Sequence, residues 1–213
     1  MQFNRLRLIK FYDERVAGRG SDVSAITALL GEDLLMGLFA HYWTSIAKGK
    51  LELLADPCTP GKVSGQRLDG WLLCEQGRHK FLYQVEIKNW SAYSWGEEPL
   101  SVSASTQELA EYGRAQWEYY FGGSTIPHKG VAKVLLPMKK PERYKQLPQI
   151  PLSCFWLYIA KKVGEPFTRH QFPDGKHVHV FSASAYLRML ATDHIEINMP
   201  RYERRLGLLK TLH

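Results

Sequence analysis

The sequence predicts an α/β layered fold, a central mixed sheet flanked by helices, on three observations. Segments with apolar residues at the helical period alternate with short strand-like runs, and that alternation separates α/β architectures from all-helical and all-β ones. The 213 residues are 45% hydrophobic and 23% charged, a balance that supplies a sizeable core and excludes wholesale disorder. No repeat, low-complexity tract or long Gly/Ser linker marks a boundary, so one domain over 1–213 is expected.

The first strong element is a helix over 24–47, where Ile26, Leu29, Leu30, Met36, Leu38 and Phe39 recur near the helical period. Ser21 or Asp22 is the expected cap, and Lys48-Gly49-Lys50 the stop. A short strand over 51–54 ends before Pro57. Two longer strands, 66–75 and 80–88, flank Gln76-Gly77-Arg78-His79, whose glycine suits a hairpin turn. A second helix is expected over 103–120, stopped by Gly122-Gly123. Strands follow over 131–136, closed by Pro137, and over 152–160; a late strand over 177–181 leads into a helix over 184–192.

The hairpin carries the chemistry. Side chains alternate along a strand, so Asp69 shares a face with Trp71 and Leu73, while Glu86 and Lys88 share a face on the next strand. If the register brings those faces together, two carboxylates converge beside one ammonium, with too little fixed cationic charge to neutralise them. Desolvation and mutual repulsion disfavour such a pair, and a divalent cation removes the conflict. Ligands made only of oxygen suit Mg²⁺ or Mn²⁺ better than zinc. Such an ion polarises a phosphodiester and activates water, and Lys88 would orient that water or stabilise transition-state charge.

These residues resemble the PD-(D/E)xK nuclease superfamily, the restriction endonuclease-like proteins. Asp69 matches the second-strand aspartate, Glu86-Ile87-Lys88 the ExK of the next strand, and Glu32 in Gly31-Glu32 the first-helix glutamate of several branches. Leu68 stands where the motif has proline. Gln116 to Tyr120 resembles the Gln-xxx-Tyr helix of exonuclease-like branches. The resemblance implies a restriction endonuclease-like core of helix, three strands, helix and strand over about 24–136, with 137–213 added to the same domain. It implies metal ligation by Asp69, Glu86, the Ile87 carbonyl and Glu32, and catalysis with Lys88. Glu32 lies on or beside an apolar stripe, where an unpaired carboxylate is costly; Asp33 is the alternative on the neighbouring flank.

The implied function is Mg²⁺- or Mn²⁺-dependent hydrolysis of DNA, with RNA and a homodimer left open. The alternative is a non-catalytic nucleic-acid-binding or assembly subunit on the same fold. A formal net charge of +7 from 28 Lys+Arg against 21 Asp+Glu favours an anionic partner. Lys139, Lys140, Arg143 and Lys145, then Arg201, Arg204, Arg205 and Lys210, are candidate phosphate contacts, and Trp90, Tyr93 and Trp95 candidate stacking residues. His177 and His179 with His170 or Asp174 make a weak metal candidate, and Gln107 and Glu111 possible support for the site. No GxGxxG, GxxxxGK[ST] or GxSxG motif points to other enzyme classes. Cys58, Cys74 and Cys154 form no CxxC pair, and neither a signal peptide nor a membrane span is legible, so a cytoplasmic location is expected.

Overall fold

A computed structural model describes residues 1–14, 20–54, 69–88, 99–122, 129–136, 138–199, 202–203 and 207. The chain runs β1 (Gln2–Asn4), α1 (Arg5–Asp13), α2 (Gly20–Ser45), β2 (Lys50–Leu53), β3 (Gly70–Gln76), β4 (His79–Lys88), α3 (Thr106–Phe121), α4 (Lys129–Ala132), β5 (Gln149–Phe155), β6 (Phe167–Gln171), β7 (His177–Ser182), α5 (Ala183–Met189) and β8 (His194–Glu196). Six strands form a mixed sheet in the order β2-β3-β4-β5-β7-β6, and β1 pairs with β8 separately. Only β4–β5 and β5–β7 are parallel.

Local sequence explains the element ends. At the end of α2, Lys48 takes a left-handed φ of 55° and the Gly49 N–H donates to the Trp43 carbonyl, closing the helix with αL geometry. Because α2 begins at Gly20, Ser21 and Asp22 fall inside its first turn rather than capping it. Helix α3 opens on a capping box: Ser105 Oγ accepts from the Glu108 N–H, and Glu108 accepts from the Ser105 N–H. Between β3 and β4 the turn is two residues, Gly77 and Arg78, tighter than the connection of four or five residues expected, with Gly77 at φ 60°. Gly37, inside α2, admits a close backbone approach; an added Cβ would collide with Ile197 and the Asn198 carbonyl.

Each sheet face is covered. On one, α1, α2 and α5 bury Leu8, Leu35, Phe39 and Tyr186 against Leu72, Tyr83, Val85, Cys154 and Phe181. On the other, α3 and the segment 129–138 bury Trp117, Tyr120, Phe121, Val131 and Val134 against Trp71, Leu73, Leu82, Phe155 and Val180. The apolar set of β3 and β4 therefore divides by parity between two cores, as strands buried on both sides require.

One expected strand is absent. Residues 131–136, read as a buried strand, form the end of α4 and a 3-10 turn over Lys133–Leu135. Their apolar run is real, and Val131 and Val134 are fully buried. A spacing of three places both on one side of a helical turn, and a run this short fits either period. The strand that follows α3 in the sheet is instead β5, so the core reaches past 136. Strand β5 also stops at Phe155; residues 156–160 continue the buried run without strand pairing.

Candidate active site

Asp69 and Glu86 meet where β3 begins and β4 ends. Gly70 pairs with Val85 and the Asp69 N–H donates to the Val85 carbonyl at 3.1 Å, which sets Asp69 opposite Glu86. Parity then puts Asp69, Trp71 and Leu73 on the face of Glu86, Gln84 and Leu82, the face of α3. Asp69 Oδ2 accepts from the Ile87 N–H at 2.6 Å. A strand residue turns its N–H and C=O to the same side, so the Ile87 carbonyl also faces the Asp69 side.

Glu86 is buried at 3% exposure and its carboxylate carries two ammonium groups. Lys88 Nζ donates to Oε1 at 2.5 Å. Lys133 Nζ lies 2.8 Å from Oε2, an ion pair whose angles fall outside hydrogen-bond geometry. The expectation of too little fixed cationic charge is thereby corrected: Lys133, hidden in the run read as a strand, is a second cation at the site.

The turn that carries Lys133 is held by two amides on the Glu86 face, the buried Gln84 and the half-buried Gln149. Gln84 Nε2 donates to the Val134 carbonyl and, at 3.0 Å, to that of Leu136. Gln149 Nε2 donates to Gln84 Oε1 and, at 3.2 Å, to the Met138 carbonyl. Glutamines inside a sheet core are costly unless satisfied, and here they fasten the 3-10 turn to β4.

Asp69 has its carboxyl pushed up to about 7, first by burial, then by the Glu86 charge; the Ile87 N–H opposes this, the Glu32 charge adds to it and Lys133 opposes it. Glu32, half-buried on α2, is thus close enough to act on Asp69. Asp33 is turned elsewhere: its Oδ2 accepts from the Tyr202 N–H at 2.6 Å. Across the β4–β5 pairing, Ser153 stands beside Glu86 on the same face, its buried hydroxyl without a hydrogen-bond partner among the described residues.

Among the described residues, Asp69, Glu86 and Ser153 offer oxygen ligands on this face, and the two carboxylates are crowded enough to lift one. That set fits a hard divalent cation. Among the described residues, however, no three His, Cys, Asp or Glu side chains already converge as a cation cage. Glu32, the third expected ligand, is thus not brought into a cage with Asp69 and Glu86.

Other expected residues divide. Gln116 and Tyr120 are both buried on α3 against the site-bearing face. Gln107 and Glu111 pair with each other at 2.9 Å on the exposed side of α3, so they do not support the site. His170 is caged by Trp117, Phe121 and Phe172, while His179 bonds Tyr83 at 2.7 Å on the opposite face, and Asp174 pairs with Lys176. His177 and His179 do lie side by side, with ring centroids 6.2 Å apart, but neither His170 nor Asp174 joins them. Lys140 donates to the Leu147 carbonyl and Lys145 pairs with Glu142, leaving the 139–145 stretch mostly in local contacts. Leu68, Cys58, Trp90, Tyr93, Trp95, Arg201, Arg204, Arg205 and Lys210 lie outside the described residues.

Comparison with protein-family models, with curated proteins and with solved structures gives no match. Among the described residues no helix is long and apolar enough to cross a membrane.

Proposed function

We propose that this chain is a divalent-metal-dependent phosphodiesterase acting on DNA, on a restriction endonuclease-like core. The observation that carries the reading is Asp69 opposed to Glu86 at one end of the sheet, with Lys88 and Lys133 on Glu86 and Glu32 acting on Asp69. The order α2, β2, β3, β4, α3, β5, with β5 parallel to β4, supports the core.

Charge arithmetic supports the substrate class. With Asp69 ionised, three carboxylates and two ammoniums leave one net negative charge. A divalent cation turns this into one net positive charge, the complement of a single phosphodiester. Asp69 and Glu86 would hold the Mg²⁺ or Mn²⁺, with the Ile87 carbonyl and Glu32 in support. Such an ion polarises the phosphodiester and lowers the pKa of an attacking water. Lys88 orients that water and stabilises charge as it develops on phosphorus. The net charge of +7 favours a polyanion, with RNA as the alternative substrate and a homodimer as the assembly that would cut two strands. Cys74 and Cys154 are free and buried, on strands separated by β4, which suits a reducing, cytoplasmic setting.

One observation favours the non-catalytic alternative: Glu86 is charge-satisfied by two lysines without any metal. The test is hydrolysis of linear, circular, single-stranded and branched DNA with Mg²⁺ or Mn²⁺. Cleavage lost in Asp69→Asn and Glu86→Gln supports the enzyme. Binding without cleavage on every substrate makes the assembly subunit the better reading.

A further inference from the structure

From the Glu86–Lys133 contact we infer that Lys133 is a displaceable counter-ion, which neutralises Glu86 until a divalent cation arrives and then turns to a non-bridging oxygen of the bound phosphodiester. This rests on the metal-dependent reading above.

The two lysines on Glu86 differ in their anchorage. Lys88 extends from β4 itself, two residues from Glu86, and its ammonium is hydrogen-bonded to Oε1 at 2.5 Å. Lys133 comes from a 3-10 turn, touches Oε2 at 2.8 Å without hydrogen-bond alignment, and is the more exposed of the two, at 25% against 17% for the side chain. Lys133 thus holds Glu86 by charge at one oxygen, where a doubly charged ion competes with it directly. The turn beneath it is rigid, because Gln84 and Gln149 fasten the carbonyls of Val134, Leu136 and Met138 to the sheet. The side chain can therefore leave Glu86 while its root stays beside the site.

Electrostatics gives the direction. A divalent ion at Oε2 and an ammonium on the same oxygen repel each other at contact distance in a low-dielectric site, so they exclude one another. Once displaced, the ammonium finds its nearest compensating charge on the phosphate that the metal holds. Metal binding and substrate clamping would then be coupled through one side chain, and the turn would have no need to move.

Mn²⁺ titration of the full chain by calorimetry, and then inorganic phosphate titration of the Mn²⁺-loaded protein, test this in wild type, Lys133→Met and Lys133→Gln, with a thermal melt showing that each variant is folded. Two variants guard against the failure of one to fold. Removing the competing ammonium should tighten Mn²⁺ binding about tenfold and weaken phosphate binding several-fold. A folded variant whose Mn²⁺ affinity is unchanged or weaker overturns the inference and makes Lys133 a fixed structural partner. Wild type that binds no Mn²⁺ overturns the metal-dependent reading and the displacement with it, a result distinguishable because it precedes any substitution.

Discussion

Asp69, one residue before β3, lies beside Glu86 of β4, and the carboxyl of Asp69 is pushed up to about 7 by burial and by the charge of Glu86. A core position that keeps an acid in this state sacrifices stability, and sites that bind cations commonly do so.

The first expected outcome concerns stability. A carboxyl whose folded pKa lies above its unfolded value takes up a proton on folding, so its stabilising share is present at low pH and lost as pH rises through about 7. Asp69→Asn keeps an acceptor for the Ile87 N–H and removes the charge. Thermal melts of the metal-free protein should show the variant more stable than wild type by several degrees at pH 8.5 and by less at pH 5, the gap closing only below the ordinary Asp value of 3.8. Equal melting at both pH values would remove the crowding.

The second concerns chemistry. Lys88→Ala should lower metal-dependent cleavage by about 10²-fold or more, because charge stabilisation or water positioning in a transition state is of that order. Mn²⁺ affinity should not fall, since an ammonium is no ligand. A variant that cleaves at the wild-type rate would take Lys88 out of the mechanism.

A third concerns the amides under Lys133. Gln84→Leu leaves the carbonyls of Val134 and Leu136 and the amide of Gln149 without their partner, which should cost about 1–3 kcal/mol in denaturant unfolding. Hydrogen exchange should rise across 133–138 and leave β3 unchanged. Uniform protection in the variant would mean that the turn is held by Val131 and Val134 packing alone.

The fourth lies far from the site. Arg188 joins the carboxylate of Asp13 at 2.8 Å, the Ser184 hydroxyl and the carbonyls of Val102 and Ser101, tying α1 and α5 to the segment before α3. Arg188→Met strands a carboxylate at 2% exposure and should cost about 3–5 kcal/mol. Adding Asp13→Asn should recover part of the loss; additive losses in the double variant would show that the two groups are not coupled.

What the sequence disclosed follows from what sets each feature. The hairpin was legible because its register depends on a two-residue turn and on parity, both local, and a slip of one residue would have exposed Leu72 and Val85. Helix α3 was legible through its stop at Gly122, while its start after the Ser105 cap lies three residues past the expected one. Strands β1 and β8 were not, since each is three residues long and pairs across the chain, Phe3 opposite Ile195, and neither was β6, a short strand on the sheet edge. Asp69, Glu86 and Lys88 could be read as a set because one hairpin carries them. Lys133 could not: it is brought to Glu86 by a tertiary clamp on Gln84 and Gln149, and the apolar run around it fits a strand as well as a helical turn. A glutamine on each of two parallel strands, Gln84 and Gln149, was the one available signal, and nothing local said where it pointed.

The most direct measurement is a crystal structure of the protein soaked in Mn²⁺, read by anomalous scattering. One ion coordinated by Asp69 and Glu86, with Lys133 Nζ withdrawn from its 2.8 Å contact to Glu86 Oε2, is the expected result. Crystals that show no ion there at saturating Mn²⁺, with both lysines still seated on Glu86, would contradict a metal-dependent site at this end of the sheet.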